Sequence, residues 1–217
     1  DKEIVCYKNM GLVTLVFDEK ILRLLKGRMA VGHVRYSTTG SSNEVNAQPI
    51  LAGSDTIRHS KSCGAKYRRQ VAVAHNGNLV NTATLREELQ EQGVEFETSS
   101  DTEVIAEMIA MSDKPTAEEA VADSLRQARG AFSIVALCEG KIFAARDSFG
   151  IRPLCLGKLG DGNWAVASET CAFSIIGAQF EREIRPGELV IIDDSGVKSV
   201  DYTKPQREAL CIFEFIY

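Results

Sequence analysis

The chain has 217 residues, of which 44% are hydrophobic and 25% charged, the balance of an ordinary globular protein that can bury a core as one large domain or two small ones. A net charge of −5 argues against a nucleic-acid partner, and no apolar run reaches membrane-spanning length. Six cysteines and three histidines are scattered without a CxxC pair, which excludes the common zinc spacings, makes a disulfide framework unnecessary and predicts reduced, cytosolic-type thiols.

In chain order, residues 13–17 and 29–36 read as strands, and residues 53–69, rich in Ser, Lys and Arg, as a surface loop or insertion. A strand over 70–74 carries the β-branched residues Val71 and Val73. Leu85 and Leu89, four apart, predict a helix capped by Asn81 or Thr82 and stopped by Gly93. Ser100-Asp101-Thr102-Glu103 fits a capping box: Ser100 caps, Glu103 reaches back, and Val104, Ile105, Met108 and Ile109 form one apolar stripe. Thr116 and Glu119 repeat that start signal ahead of Val121 and Leu125. Beyond Gly130 three hairpins are predicted, 131–137 with 141–145, 154–158 with 164–167, and 188–192 with 197–200, with a short helix over 170–176 between the last two. Strands, then helices, then antiparallel hairpins describe an α+β fold.

Four segments place polar residues where a rigid scaffold can present them: 32–40, 74–79, 99–103 and 167–171. The planar fork of Arg35 suits a carboxylate held by two hydrogen bonds, though most arginines are simply exposed. Asn76-Gly77 is the strongest hairpin-turn signal in the chain, or else an oxyanion hole made by the Asn76 NH₂ and the Gly77 N–H. Asp101, in the first turn of a helix, is kept ionised there, either to assist the cap or to bind a ligand ammonium. His33 and His75 flank strand ends and read as structural. Together these residues describe a pocket for an α-amino acid whose side-chain carbonyl is attacked.

Several longer motifs follow one another in order: Arg35-Tyr36-Ser37-Thr38, His75-Asn76-Gly77-Asn78-Leu79-Val80-Asn81, Arg146-Asp147-Ser148-Phe149-Gly150-Ile151-Arg152-Pro153-Leu154, Ser168-Glu169-Thr170-Cys171-Ala172-Phe173, and Cys211-Ile212-Phe213-Glu214-Phe215-Ile216-Tyr217. On these the chain resembles the class II glutamine amidotransferases, a branch of the N-terminal-nucleophile hydrolases, and within them the amidophosphoribosyltransferase family. The resemblance implies an αββα sandwich of antiparallel sheets between helix layers, incomplete at the N-terminus. It implies an amidotransferase domain over residues 1–210 and, over 211–217, the start of a connection to a phosphoribosyltransferase domain. The implied activity is glutamine hydrolysis, with ammonia delivered to phosphoribosyl pyrophosphate to make 5-phosphoribosylamine in the first committed step of purine synthesis.

By the same resemblance, Arg35 with Thr38 binds the glutamine α-carboxylate, Asp101 its α-ammonium, and Asn76 with Gly77 forms the oxyanion hole. Mg²⁺ would act in the transferase domain. Cys211 matches a position where some members supply one ligand to a [4Fe–4S] cluster, a buried structural thiol being the alternative. The implied partners are glutamine and phosphoribosyl pyrophosphate, with no nucleic acid or membrane. The full-length protein is expected to be a homo-oligomer in the cytoplasm, with a plastid left open. The family nucleophile is an N-terminal cysteine whose α-amino group acts as general base. This chain begins at Asp1, and Cys6 and Cys63 match no nucleophile motif, so the chain by itself is expected to be inactive. The competing readings are another class II enzyme, such as a hexosamine-phosphate synthase, and a non-catalytic glutamine-binding module.

Overall fold

The computed structural model describes residues 3–35, 44–53, 66–207, 209–212 and 216. Tyr36, Thr38, Cys63 and most of the 53–69 loop lie outside the described residues, as do Phe213, Phe215 and Tyr217.

The N-terminal expectations are overturned first. Instead of a strand there is a four-residue helix, α1 (Val13–Val16), then α2 (Glu19–Leu24), whose cap Asp18 accepts from the Ile21 N–H at 2.9 Å. Residues 29–35 have no regular structure. β-Branched runs become strands where a neighbouring ladder receives them, and among the described residues neither run pairs with a strand. A 3-10 turn at Glu44–Asn46 leads into β1 (Ile50–Ala52), a strand not predicted from the sequence.

β2 (Val71–Leu79) runs five residues past its predicted end and is followed by α3 (Thr82–Glu91), α4 (Asp101–Met111) and α5 (Ala117–Gln127). Next come β3 (Gly130–Cys138), β4 (Lys141–Arg146), β5 (Cys155–Lys158), β6 (Trp164–Ala167), α6 (Cys171–Ile176), β7 (Gln179–Glu183), β8 (Glu188–Asp193) and β9 (Gly196–Asp201). The three predicted hairpins are all present; β7 had no sequence signal. Every ladder is antiparallel, in a six-stranded sheet of order β1-β2-β3-β4-β8-β9 and a three-stranded sheet of order β6-β5-β7.

Alternation along the large sheet decides what each face meets. Val71, Val73, Ile134, Ala136, Phe143, Leu189 and Ile191 pack with Ile105 and Ile109 of α4 and with Val121 and Leu125 of α5. From the other face, Ala144, Val190 and Ile192 meet Leu154, Leu156 and Ile184 of the second sheet and its flanks, while α6 packs on β6 and β7. Helix, sheet, sheet, helix is the expected αββα order. α4 is more deeply set than a one-sided stripe implies, because residues 102–110 are all buried between β1, β2, α3 and α5.

Local signals held in part. Ser100 caps α4 by accepting from Thr102 N–H at 3.2 Å, but Glu103 reaches past it to the N–H groups of Glu97 and Thr98, both at 2.8 Å. The Asn81 side chain does not cap α3; it bridges to Gln127 O and Arg129 N instead, tying the start of α3 to the α5–β3 connection. Arg69, placed by sequence in a surface loop, is buried. It donates to the carbonyls of Ile109, Ser112 and Lys114 at the C-terminal end of α4 and pairs with Glu139 at 3.2 Å.

Candidate active site

The ladder geometry of β2 creates the site. β1 covers β2 only from Val71 to Val73, so the edge beyond must find other partners. At His75 the Gln48 side chain takes the place of a strand: His75 N–H donates to Gln48 Oε1 at 2.6 Å, and Gln48 Nε2 donates to the His75 carbonyl at 3.1 Å. At Leu79 the partner is Asp101, whose Oδ2 accepts the backbone N–H at 2.9 Å. Backbone polar groups alternate direction along a strand, so the N–H of Gly77 points off this same edge, between the two anchored positions.

Asn76-Gly77 is therefore no hairpin turn. Both residues stand inside the ladder, Asn76 opposite Ser133 and Gly77 opposite Phe132. The turn signal fails because the partner strand arrives from far along the chain. Gly77 has φ +140°, and a Cβ there would run into the Ala131 carbonyl oxygen; Gly130 meets Asn78 O in the same way. Two glycines thus let β2 and β3 approach unusually closely at this point. The exposed Asn76 side chain donates through Nδ2 to Ser168 Oγ at 3.0 Å, across to the end of β6. An amide N–H and a carboxamide NH₂ on neighbouring residues can together stabilise negative charge on an oxygen.

Asp101 opens α4 and supplies a carboxylate beside these donors. Burial works against its ionisation, but the His75 imidazole and the Leu79 and Thr102 backbone groups outweigh it and hold the carboxyl below its usual range. His75 is the buried link: its Nδ1 lies 3.4 Å from both Asp101 Oδ1 and Thr102 Oγ1. Its Nε2 has no hydrogen-bond partner among the described residues. Sequence reasoning placed His75 as structural and missed this contact, as it missed Gln48; it singled out Ser168 only within the 167–171 segment and its motif, without a role.

Arg35 is exposed and lies on no strand. Burial foremost, then the charges of His75 and Arg35, hold the His33 imidazole below its usual pKa. The described residues therefore bring Asn76, Gly77, His75 and Asp101 together, while Arg35 stands apart from them on a cavity wall. Thr38 lies outside the described residues. A cavity of about 850 Å³ opens between the N-terminal segment and the large sheet, walled by Ala72, Leu137, Gln48, His33 and Arg35 among others, but not by Asn76 or Asp101.

Three of the described cysteines are poorly suited to a nucleophile role. Burial pushes the Cys6 and Cys155 thiols up, and Cys138 up to about 12. Cys211 is half-buried, and among the described residues no three His, Cys, Asp or Glu side chains gather as a metal set. No helix among them is long and apolar enough to cross a membrane.

The chain is similar to known proteins along its whole length. The amidophosphoribosyltransferase of Bacillus subtilis (strain 168) is 40% identical over 216 residues, 100% of this chain and 43% of that protein. The chloroplastic amidophosphoribosyltransferase of Vigna aconitifolia is 46% identical over 210 residues, 96% of this chain and 40% of that protein. A solved structure of the allosteric regulatory enzyme of purine biosynthesis superposes with a TM-score of 0.84 at 41% identity, covering 95% of this chain and 42% of its own. The B. subtilis glutamine phosphoribosylpyrophosphate amidotransferase complexed with ADP and GMP gives 0.81 at 40% identity, with the same coverage. The chain spans about two-fifths of the length of these relatives. The glutamine amidotransferase domain family matches residues 35–174, a stretch that holds Arg35, the β2 edge, Asp101 and Ser168. With that match laid over this fold and this strand edge, the chain belongs to the glutamine amidotransferase domain family.

Proposed function

We propose that the chain is the glutamine-hydrolysing part of an amidophosphoribosyltransferase. The observation that carries this reading is the open edge of β2, where the Gly77 N–H and the Asn76 carboxamide stand next to a carboxylate, Asp101, that also fastens the strand. Glutamine needs this set of groups. Asp101 would accept its α-ammonium, Arg35, assisted by Thr38, would hold its α-carboxylate, and Asn76 and Gly77 would receive the oxygen as the carboxamide carbon becomes tetrahedral. Attack also requires a nucleophile beside a base, which the resemblance assigns to an N-terminal cysteine. Among the described residues, burial raises the thiols of Cys6 and Cys138 and leaves them unsuited to that role.

In the whole protein the ammonia would be passed to phosphoribosyl pyrophosphate bound with Mg²⁺, giving 5-phosphoribosylamine for purine synthesis. The names and high identity of the relatives support that acceptor. The test is to incubate the whole protein with glutamine and either Mg²⁺–phosphoribosyl pyrophosphate or fructose 6-phosphate, and to measure glutamate and the aminated sugar. Glutamate formed in step with phosphoribosylamine is expected. Amination of the hexose phosphate, or glutamine bound but never hydrolysed, would overturn the reading.

A further inference from the structure

Ser168 stands in a motif whose role the reading above leaves open, and it makes a single conspicuous contact. Its hydroxyl, just past the end of β6 in the smaller sheet, accepts a hydrogen bond from Asn76 Nδ2 at 3.0 Å, although the two residues are 92 apart in sequence. Asn76 itself is exposed, whereas Ser168 is half-buried just past the end of β6, whose last residue, Ala167, pairs with Cys155 of β5. The contact therefore ties the end of an exposed side chain to the other sheet.

The chemistry of the carboxamide makes that tie consequential. The terminal torsion of an asparagine is broad and roughly two-fold, so an untethered amide presents either its NH₂ or its C=O in a given direction. A C=O turned toward a developing oxyanion would repel it; an NH₂ stabilises it. The group carries two N–H bonds. With one given to Ser168, the amide plane is set and the second N–H remains available to a substrate oxygen.

We propose that Ser168 is a positioning residue for the oxyanion hole, holding the Asn76 carboxamide in its donor orientation from the opposite sheet. This rests on the glutaminase reading. It predicts an effect on the transition state with little effect on ground-state glutamine, because Ser168 acts only through Asn76.

The test uses the whole protein and its glutaminase kinetics. Ser168→Ala is expected to lower kcat about tenfold, a fraction of the roughly 10²–10³-fold that loss of a donor itself costs, with KM for glutamine within about twofold. Ser168→Thr, which keeps the hydroxyl, is expected to restore most of the rate. In an Asn76→Ala background, Ser168→Ala is expected to add nothing, since the group it positions is gone. An unchanged kcat in Ser168→Ala, a change in KM alone, or an equal loss in the Asn76→Ala background would overturn the proposal while leaving the glutaminase reading intact. A parent protein that hydrolyses no glutamine would overturn both.

Discussion

Gly77 and Asp101 act on the same strand from opposite directions: one needs empty space where a Cβ would stand, the other fastens the backbone two residues further on. Their neighbours divide the work by the stage at which each matters. The donors of Asn76 gain strength only as charge develops on the substrate oxygen, so Asn76→Ala in the whole protein is expected to lower kcat by roughly 10²–10³ with modest change in KM. Asp101 would meet an ammonium that is charged throughout, so Asp101→Asn is expected to raise KM instead, with kcat/KM falling on the order of a hundredfold. Steady-state kinetics on the two variants check this split, and a shared kcat effect would count against it. The sequence showed these residue types and their order along the chain. It could not show that Asn76-Gly77 lies within a ladder, because that depends on β3, whose pairing residues begin more than fifty positions later.

Elements were legible where their signals were local. The caps at Ser100 and Thr116 and the three hairpins each announce themselves within a few residues, and each is present. β1 and β7 are legible only through their partners, and the apolar runs at 13–17 and 29–36 misled because no ladder among the described residues receives them. Arg69 shows the same limit in a single side chain. A charged residue at the end of a Ser/Lys/Arg-rich loop reads as solvated, yet its guanidinium satisfies three carbonyls where α4 ends, with Glu139 balancing its charge. Helix C-termini leave carbonyls without intrahelical partners, and a cation there also suits the helix dipole. Arg69→Ala would leave these buried acceptors unpaired and is expected to cost about 2–4 kcal/mol of unfolding free energy. Because α4 begins at Asp101, the variant should also loosen the site end of the helix. Thermal unfolding measures the first effect; a loss within about 0.5 kcal/mol would show that solvent replaces the guanidinium at these carbonyls.

At the scale of the whole molecule, the two sheets must stay in register for Ser168 to reach Asn76, and polar ties supplement the apolar layer between them. Glu188, at the start of β8 in the large sheet, is fully buried; it receives Arg182 of β7 in the smaller sheet through two hydrogen bonds of 2.8 and 2.9 Å, and the Arg185 N–H at 2.8 Å. Burial alone would raise its pKa, but Arg182, the Arg185 N–H and Ser199 outweigh it and hold the carboxyl below the usual glutamate range. Asp101 is depressed in the same sense. A carboxyl whose pKa is lower folded than unfolded contributes stability that is present above the unfolded value, about 4, and is lost as pH falls through the folded value. The unfolded chain binds the proton first, so acid draws the equilibrium toward it. Glu188→Gln keeps the shape, removes the charge, and leaves Arg182, partly exposed, without its anion. The variant is expected to be less stable at pH 7 by about 1–3 kcal/mol, and its unfolding temperature should fall less steeply than the parent's between pH 5 and about 3. Melting curves of the two proteins across that range check the sign directly. Parallel curves would mean that the Glu188 proton equilibrium is the same in the folded and unfolded chain, and that its pairing with Arg182 adds nothing to the hold between the sheets.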